Sequence, residues 1–357
     1  MEENQKTLVT VVIPVYNMEK YITKCVTSIL NQKYRNIEVV AINDGSTDSS
    51  KEILDDFAQR DKRLRVITTE NRGLSAARNK GIVESKGEYI VFIDADDYIS
   101  DEYVDVLLDV CESKKVPISQ CFYKNISAEC NEDIFEYEEV KESDIKVYND
   151  REMILNLYNH MMLPSTLTWT KMYKRDLFNI GPDTLDVFDE NHIAFPEGRI
   201  YEDDYVSYRL FHKAGKVAVI NKVMYAYRKN PDGITNGPFS IKGLDLMLSL
   251  EERIRFYKKR GDRNIVNLTY RRYYYEICRT IYKTKCSKGN IPEWRQVVKE
   301  LNRKKRKTLL MIIKVLRFED KSFVRTQLIK VKCFVKINRV FFDNWGDCIK
   351  KVQVFFA

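Results

Sequence analysis

The chain has 357 residues, 44% of them hydrophobic and 31% charged, with 13 Gly and 8 Pro, a globular composition that excludes disordered and collagen-like classes and has room for two domains. Its longest apolar runs, residues 309–313 and 89–93, fall far short of the roughly 18 apolar residues a spanning helix needs, and MEENQKTLVTVVIP lacks the regions of a secretory signal, so a cytoplasmic protein is expected. The net charge of +8 hides an asymmetry: residues 251–357 carry 29 Lys+Arg against 10 Asp+Glu, net +19, leaving residues 1–250 with 31 against 42, net −11, so front and rear suit different partners.

The first hundred residues alternate β-rich runs with helical patterns. Residues 9–13 form a β-branched run ended by Pro14, after which Ile22, Val26, Ile29 and Leu30 recur at helical spacing within 19–32. Residues 37–42 form a second apolar run, followed by NDGSTDSS, where Ser46 or Thr47 is expected to cap a helix carrying Ile53, Leu54, Phe57 and Ala58. A third run at 64–68 leads through ENRGLS into a helix over 75–84, and a fourth at 89–93 stops at DADD. Strands separated by helices need crossovers, so the fold class is α/β: a mixed, mainly parallel Rossmann-like sheet with helices on both faces. In such sheets ligands bind beyond the carboxyl ends of the strands. There the sequence places Pro14-Val15-Tyr16-Asn17, Asn43-Asp44-Gly45-Ser46, Glu70-Asn71-Arg72-Gly73 and Asp94-Ala95-Asp96-Asp97.

Further along, a helix over 101–111, a strand near 116–122 and an exposed loop or hairpin over the charged stretch 129–144 are expected. A Gly/Pro-rich boundary lies near 235–242, around NPDGITNGP. This divides the chain into residues 1–238, the sheet-based domain, and residues 239–357, a basic and mostly helical region. In that region Leu244, Leu248 and 250–254, the aromatic run 270–275 and RKKRK at 303–307 stand out.

Eight cysteines without a C-x-x-C pair, and three histidines without H-E-x-x-H, argue against zinc-ribbon, redox-pair and Ser-His-Asp chemistry. Carboxylates remain. Asp94 and Asp96, one residue apart after a strand, offer the oxygen ligands that Mg²⁺ or Mn²⁺ shares with substrate phosphates. No G-x-G-x-x-G or G-x-x-x-x-G-K-S/T occurs, which disfavours dinucleotide oxidoreductases and P-loop enzymes. A nucleotide can still bind, with Tyr16 on a base ring, Asp44 accepting its imide N–H, Asn71 contributing from the third loop and Arg78 reaching the pyrophosphate.

The blocks VVIPVYNMEKYITKCVTSIL, VVAINDGSTDSS, ENRGLSAARNKGI and YIVFIDADD resemble the successive signatures of the family 2 glycosyltransferases, which have the type A nucleotide-sugar fold. TWTKMYKRDLF, EGRIYEDDYVSYRLF and YAYRKNPDGIT are similar to later blocks of bacterial polysaccharide-assembling members. The resemblance implies that Pro14, Tyr16 and Asp44 line the nucleobase pocket, Asp94 holds the ribose and Asp96 ligates the metal. It also maps the catalytic base onto Glu202-Asp203, Asp203 first, with Asp204 a neighbouring complication, and gives Arg228 a weaker claim to diphosphate contact.

The implied activity is inverting hexosyl or N-acetylhexosaminyl transfer from a UDP-sugar to a glycan or lipid-linked glycan in capsule, O-antigen or other surface polysaccharide synthesis, one sugar per encounter because the Q-x-x-R-W block is absent. A nucleotidyltransferase is the rival enzyme class, although PVYNMEK is not the basic loop it needs. A membrane-bound non-catalytic scaffold is the other rival. The basic rear half reads either as a solvated helical bundle or as a face for anionic lipid at the inner side of the membrane. No nucleic-acid module is visible, and a homo-oligomer is compatible with the apolar residues among these charges.

Overall fold

The computed structural model describes residues 7–158, 165–178, 180, 193–231, 233, 240–287 and 293–316. They divide into two compact units, Met1–Met153 with Leu163–Gly237, and Ile154–Met162 with Pro238–Ala357. The Gly/Pro-rich segment 234–239, His160, His192 and the chain after 316 lie outside the described residues.

The first unit opens with β1 (Val9–Val15), α1 (Ile22–Leu30), β2 (Ile37–Asp44), α2 (Ser50–Arg60), β3 (Leu64–Thr69), α3 (Leu74–Glu84) and β4 (Tyr89–Phe92). β1 pairs in parallel with β2 and β4, and β2 with β3, so all four strands end at one sheet edge. Every residue of β1 is buried, as a central parallel strand covered on both faces requires. One face packs Val9, Val11 and Ile13 against Ile22, Cys25, Val26 and Ile29 of α1, an i, i+3, i+4, i+7 stripe. On the other face α3 sits so close that a Cβ on Gly81 would lie 2.3 Å from Val12 Cγ1. Helix α2 begins later than its sequence suggests: Asp48 Oδ1 accepts from Ser50 N at 3.0 Å, while Ser46 Oγ accepts from Asn17 N at 3.1 Å, drawn to the neighbouring loop instead of the helix end.

The remaining elements are β5 (Tyr98–Ile99), α4 (Tyr103–Ser113), β6 (Ile118–Ile126), β7 (Ile145–Asn149), α5 (Asp150–Asn156), β8 (Lys171–Lys174), α6 (Glu202–Ala214) and β9 (Lys216–Arg228). The strand order is β3-β2-β1-β4-β8-β6-β9-β5, with β7 on β9. β8 is antiparallel to both β4 and β6, which joins the parallel half to the rest of the sheet. The charged stretch 129–144, expected as an exposed loop or hairpin, runs without a strand of its own and leads into β7, antiparallel to β9.

The second unit contains α7 (Asp245–Lys259), α8 (Arg263–Cys286) and α9 (Trp294–Leu316). Gly261, at φ +74, turns the chain between α7 and α8, and Asp262 caps α8 by accepting from Ile265 N at 2.9 Å. Tyr270, Tyr273, Tyr274 and Ile277 are buried, so the aromatic run supplies the inward stripe of a helix. No helix among the described residues is long and apolar enough to cross a membrane.

Candidate active site

The edge where the four parallel strands end is organised by short polar loops bonded to one another. Asn17 adopts φ 53°, a left-handed conformation that Asn tolerates. Its Oδ1 accepts from Thr47 N at 2.8 Å, and Met18 N and Glu19 N donate to Ser50 Oγ and Asp48 Oδ2 at 2.7 and 3.0 Å. These bonds fix the turn that presents Tyr16, 45% exposed just beyond the buried Pro14 and Val15.

Asp44, the buried last residue of β2, accepts from Arg72 N at 2.9 Å and Gly73 N at 2.7 Å. The carboxylate, which also accepts from Thr69 Oγ1 at 3.4 Å, therefore shapes the ENRG loop and leaves Asn71 exposed beside it. Gly45 is required there, since it has φ +71 and a Cβ would come within 2.9 Å of Asn71 N.

The acidic centre is assembled around Arg78. This residue, 1% exposed on α3, donates through Nη2 to Asp94 Oδ1 at 2.9 Å and through Nη1 to Glu202 Oε1 at 2.7 Å and Asp203 Oδ1 at 3.2 Å. The Phe195 ring lies 5.3 Å below it. Burial opposes the guanidinium's charge, but Asp94, Asp203 and Glu202 outweigh it and hold the arginine firmly protonated. Both terminal nitrogens of Arg78, expected to reach a pyrophosphate, pair here with carboxylates.

Glu202 and Asp203 open α6, behind Tyr201 in a left-handed conformation at φ 60°. Such strain costs on the order of 1 kcal/mol and places both acids at the helix end whose dipole favours them. Asp203 accepts a further bond from Thr168 N at 3.1 Å through Oδ2 and one from the Thr168 hydroxyl through Oδ1. Burial, and then the Asp203 charge, push the Glu202 carboxyl up to about 7 against the pull of Arg78. Burial raises Asp203 as well, opposed by Arg78 and Thr168.

After β4, Asp96 Oδ2 accepts from Asn230 Nδ2 at 3.0 Å, and burial followed by the Asp94 charge raises its carboxyl. Asp97, fully inside, accepts from Tyr225 Oη at 2.8 Å and Arg228 N at 2.7 Å; Asp94 N donates to the same tyrosine oxygen at 3.2 Å. Arg228 is buried, with Nε on the Asp96 carbonyl at 2.8 Å and Nη1 on the carbonyls of Ala128 and Cys130 at 2.6 and 2.7 Å. Arg228, given a weaker claim to diphosphate contact, here staples the DADD turn to the loop after β6. Asp97, Tyr225, Asn230 and Thr168 were not singled out from the sequence, and only the third acid of DADD carried a local signal.

Three carboxylates, Asp94, Glu202 and Asp203, thus share the buried Arg78 guanidinium, while Asp96 and Asp97 are held by Asn230, Tyr225 and the Arg228 backbone N. That gathering of hard oxygen atoms suits the chemistry of a divalent cation. Among the described residues there is no group of three or more His, Cys, Asp or Glu side chains that could hold a metal ion.

Residues 10–178 match the family model of glycosyl transferase family 2. The chain is 34% identical over 259 residues to the glycosyltransferase EpsJ of Bacillus subtilis (strain 168), covering 71% of each. It is 37% identical over 224 residues to the glycosyltransferase GlyA of Streptococcus pneumoniae serotype 4, covering 62% of this chain but 30% of that one. The chain belongs to glycosyl transferase family 2.

Its fold is similar to that of S. aureus TarS 1-349 in complex with UDP-GlcNAc, with a TM-score of 0.51 and 18% identity over 83% of this chain and 91% of that one. It is also similar to that of the mannosyltransferase PcManGT from Pyrobaculum calidifontis in complex with GDP-Man and Mn²⁺, with a TM-score of 0.52 and 14% identity over 98% and 84%. The architecture is the glycosyltransferase type A fold.

Proposed function

We propose that the protein transfers one sugar, a hexosyl or N-acetylhexosaminyl unit, from a UDP-sugar to a hydroxyl of a glycan acceptor, with inversion, in the assembly of a bacterial surface polysaccharide. The observation that carries the reading is the Arg78 bridge. It ties Asp94, at the end of a nucleotide-side strand, to the Glu202-Asp203 pair at the start of α6, so donor-side and acceptor-side acids form one unit.

In this reading Pro14, Tyr16, Asp44 and Asn71 bound the nucleobase pocket, Asp94 takes the ribose, and Asp96 is the protein ligand of Mn²⁺ or Mg²⁺. The cation supplies charge neutralisation for the departing nucleoside diphosphate. Asp203 accepts the acceptor hydroxyl's proton, held in place by Thr168 and Arg78. Glu202 beside it holds a proton near neutrality, which keeps two adjacent carboxylates from both being anionic.

Residues 1–238 serve as the donor-binding and catalytic domain and residues 239–357 as an accessory region. On α9, Arg303, Arg306, Lys307, Leu310 and Met311 share an outward stripe, the last two 66% and 44% exposed, while Leu301, Thr308 and Ile312 are buried. A basic stripe with exposed apolar tips suits peripheral contact with anionic lipid, which supports a lipid-linked acceptor at the inner face of the membrane.

The test is turnover of UDP-, GDP- and CDP-sugars with Mn²⁺ present and then chelated. Metal-dependent use of one UDP-sugar, lost in Asp96→Asn and Asp203→Asn, supports the assignment. Absence of binding to every nucleotide-sugar with metal present overturns it and leaves the scaffold reading. Sedimentation with anionic vesicles at low salt tests the lipid contact separately.

A further inference from the structure

The geometry points to Lys171 as a positioning residue for this reaction: from behind the acid cluster it holds the peptide that binds Asp203, and its cation favours the ionised form of that carboxylate. The inference rests on Asp203 being the base.

Lys171 opens β8 and is completely buried. Its Nζ donates to the Leu167 carbonyl at 2.5 Å and to Thr170 Oγ1 at 3.3 Å, and lies 5.9 Å from the centre of the Phe211 ring on α6. The Leu167 carbonyl and the Thr168 N–H belong to the same peptide unit, and that N–H donates to Asp203 Oδ2 at 3.1 Å. One peptide therefore has an ammonium on its oxygen and a carboxylate on its nitrogen. A cation on the oxygen polarises the amide and strengthens its N–H as a donor, and the effect runs the length of the chain. The same peptide fixes the turn that brings the Thr168 hydroxyl to Asp203 Oδ1.

Burial brings the Lys171 ammonium down to about 7; among the described residues the Asp203 carboxylate from α6 and the Cys121 thiol from β6 both favour its charge. Gln120, opposite Lys171 across β6 and β8, has no partner among the described residues for either side-chain polar atom. If the only task were to anchor one carbonyl, a neutral donor would do it without burying a charge. An ammonium is useful here because three acids, Asp94, Glu202 and Asp203, crowd a single guanidinium, and a base must be ionised before it can accept a proton.

The test uses the full chain and two readouts. The first is thermal stability against pH without substrate. A lysine whose folded pKa is lowered to about 7 makes stability rise with pH from about 7 toward the unfolded value, because there the unfolded chain binds the proton that the folded chain has released. Removing the neighbouring charge in Asp203→Asn lowers the onset of that rise by about one pH unit. An unchanged onset overturns the inference without any lysine variant having to fold.

The second readout is the pH profile of turnover. In Lys171→Met the acid limb of kcat/KM moves up by about one pH unit with donor KM unchanged, and in Lys171→Arg it stays in place. A Lys171→Met protein that loses stability but keeps the acid limb shows a structural lysine and overturns the proposal. A wild-type chain that turns over no nucleotide-sugar ends the functional reading, while the stability arm still decides whether Lys171 and Asp203 are coupled.

Discussion

The Arg78 guanidinium and the Asp94 carboxylate meet at 2.9 Å, with the arginine 1% exposed and the carboxylate at the margin of the site. The other terminal nitrogen of the same fork reaches Glu202 and Asp203. Removing the arginine therefore leaves three acids without a common counter-ion. Arg78→Met is expected to lose about 3–5 kcal/mol of stability, the cost of an uncompensated buried charge. Arg78→Lys keeps the charge without the planar fork that spans the two segments. It should fold, with turnover down on the order of 100-fold from misplacement of the acids; melting curves and kcat for the two variants check both statements.

Glu202 makes stability depend on pH in a defined direction. Its folded pKa, about 7, lies above the ordinary value of 4.5, so the folded chain binds the extra proton between those values and stability falls as pH rises through that window. Glu202→Gln removes this contribution. The stability lost by wild type between pH 4.5 and 7 should exceed that lost by the variant by about 2–3 kcal/mol, read from denaturant unfolding across the range.

Asp44 holds two backbone N–H groups of the loop after β3. Asp44→Ala strands them, at a cost of about 1–3 kcal/mol, and frees the loop. Donor KM should rise at least tenfold while the response to metal is retained, since Asp96 belongs to a different strand end. Titration of donor and of Mn²⁺ against the variant separates the two effects.

Gly81 lets α3 seat on β1, with Val12 occupying the space a Cβ would fill. Gly81→Ala is an overpacking change expected to cost about 1–3 kcal/mol. Because Arg78 lies one turn earlier on the same helix, kcat should fall with stability although residue 81 touches no substrate. A melting shift with unchanged kcat would place the strain elsewhere.

The parallel half was legible because β1 is a β-branched strand buried along its whole length and β2 nearly so, and because α1 repeats its apolar residues at i, i+3 and i+4, signals carried within a dozen residues. The strand ends followed from the topology, and with them Tyr16, Asp44, Asp94 and Asp96. β5 and β7 were not legible, since a two-residue strand and a half-exposed five-residue one are defined by pairing with β9, far along the chain. The partners of Arg78 and Arg228 were not legible for the same reason: what a buried arginine bonds to depends on which distant acids or carbonyls close over it. Lys171 stood inside a quoted block, yet only the fold shows that it sits behind Asp203.

β8 is four residues long, yet it fills the gap between β4 and β6 in antiparallel register with both. A fragment that stopped after the DADD turn would keep the nucleotide-side loops but present β4 with an open row of unpaired amides and carbonyls, a template for adding another chain. The donor half is thus not a separable module. Shortened versions of this protein should associate edge to edge unless they run past Lys174.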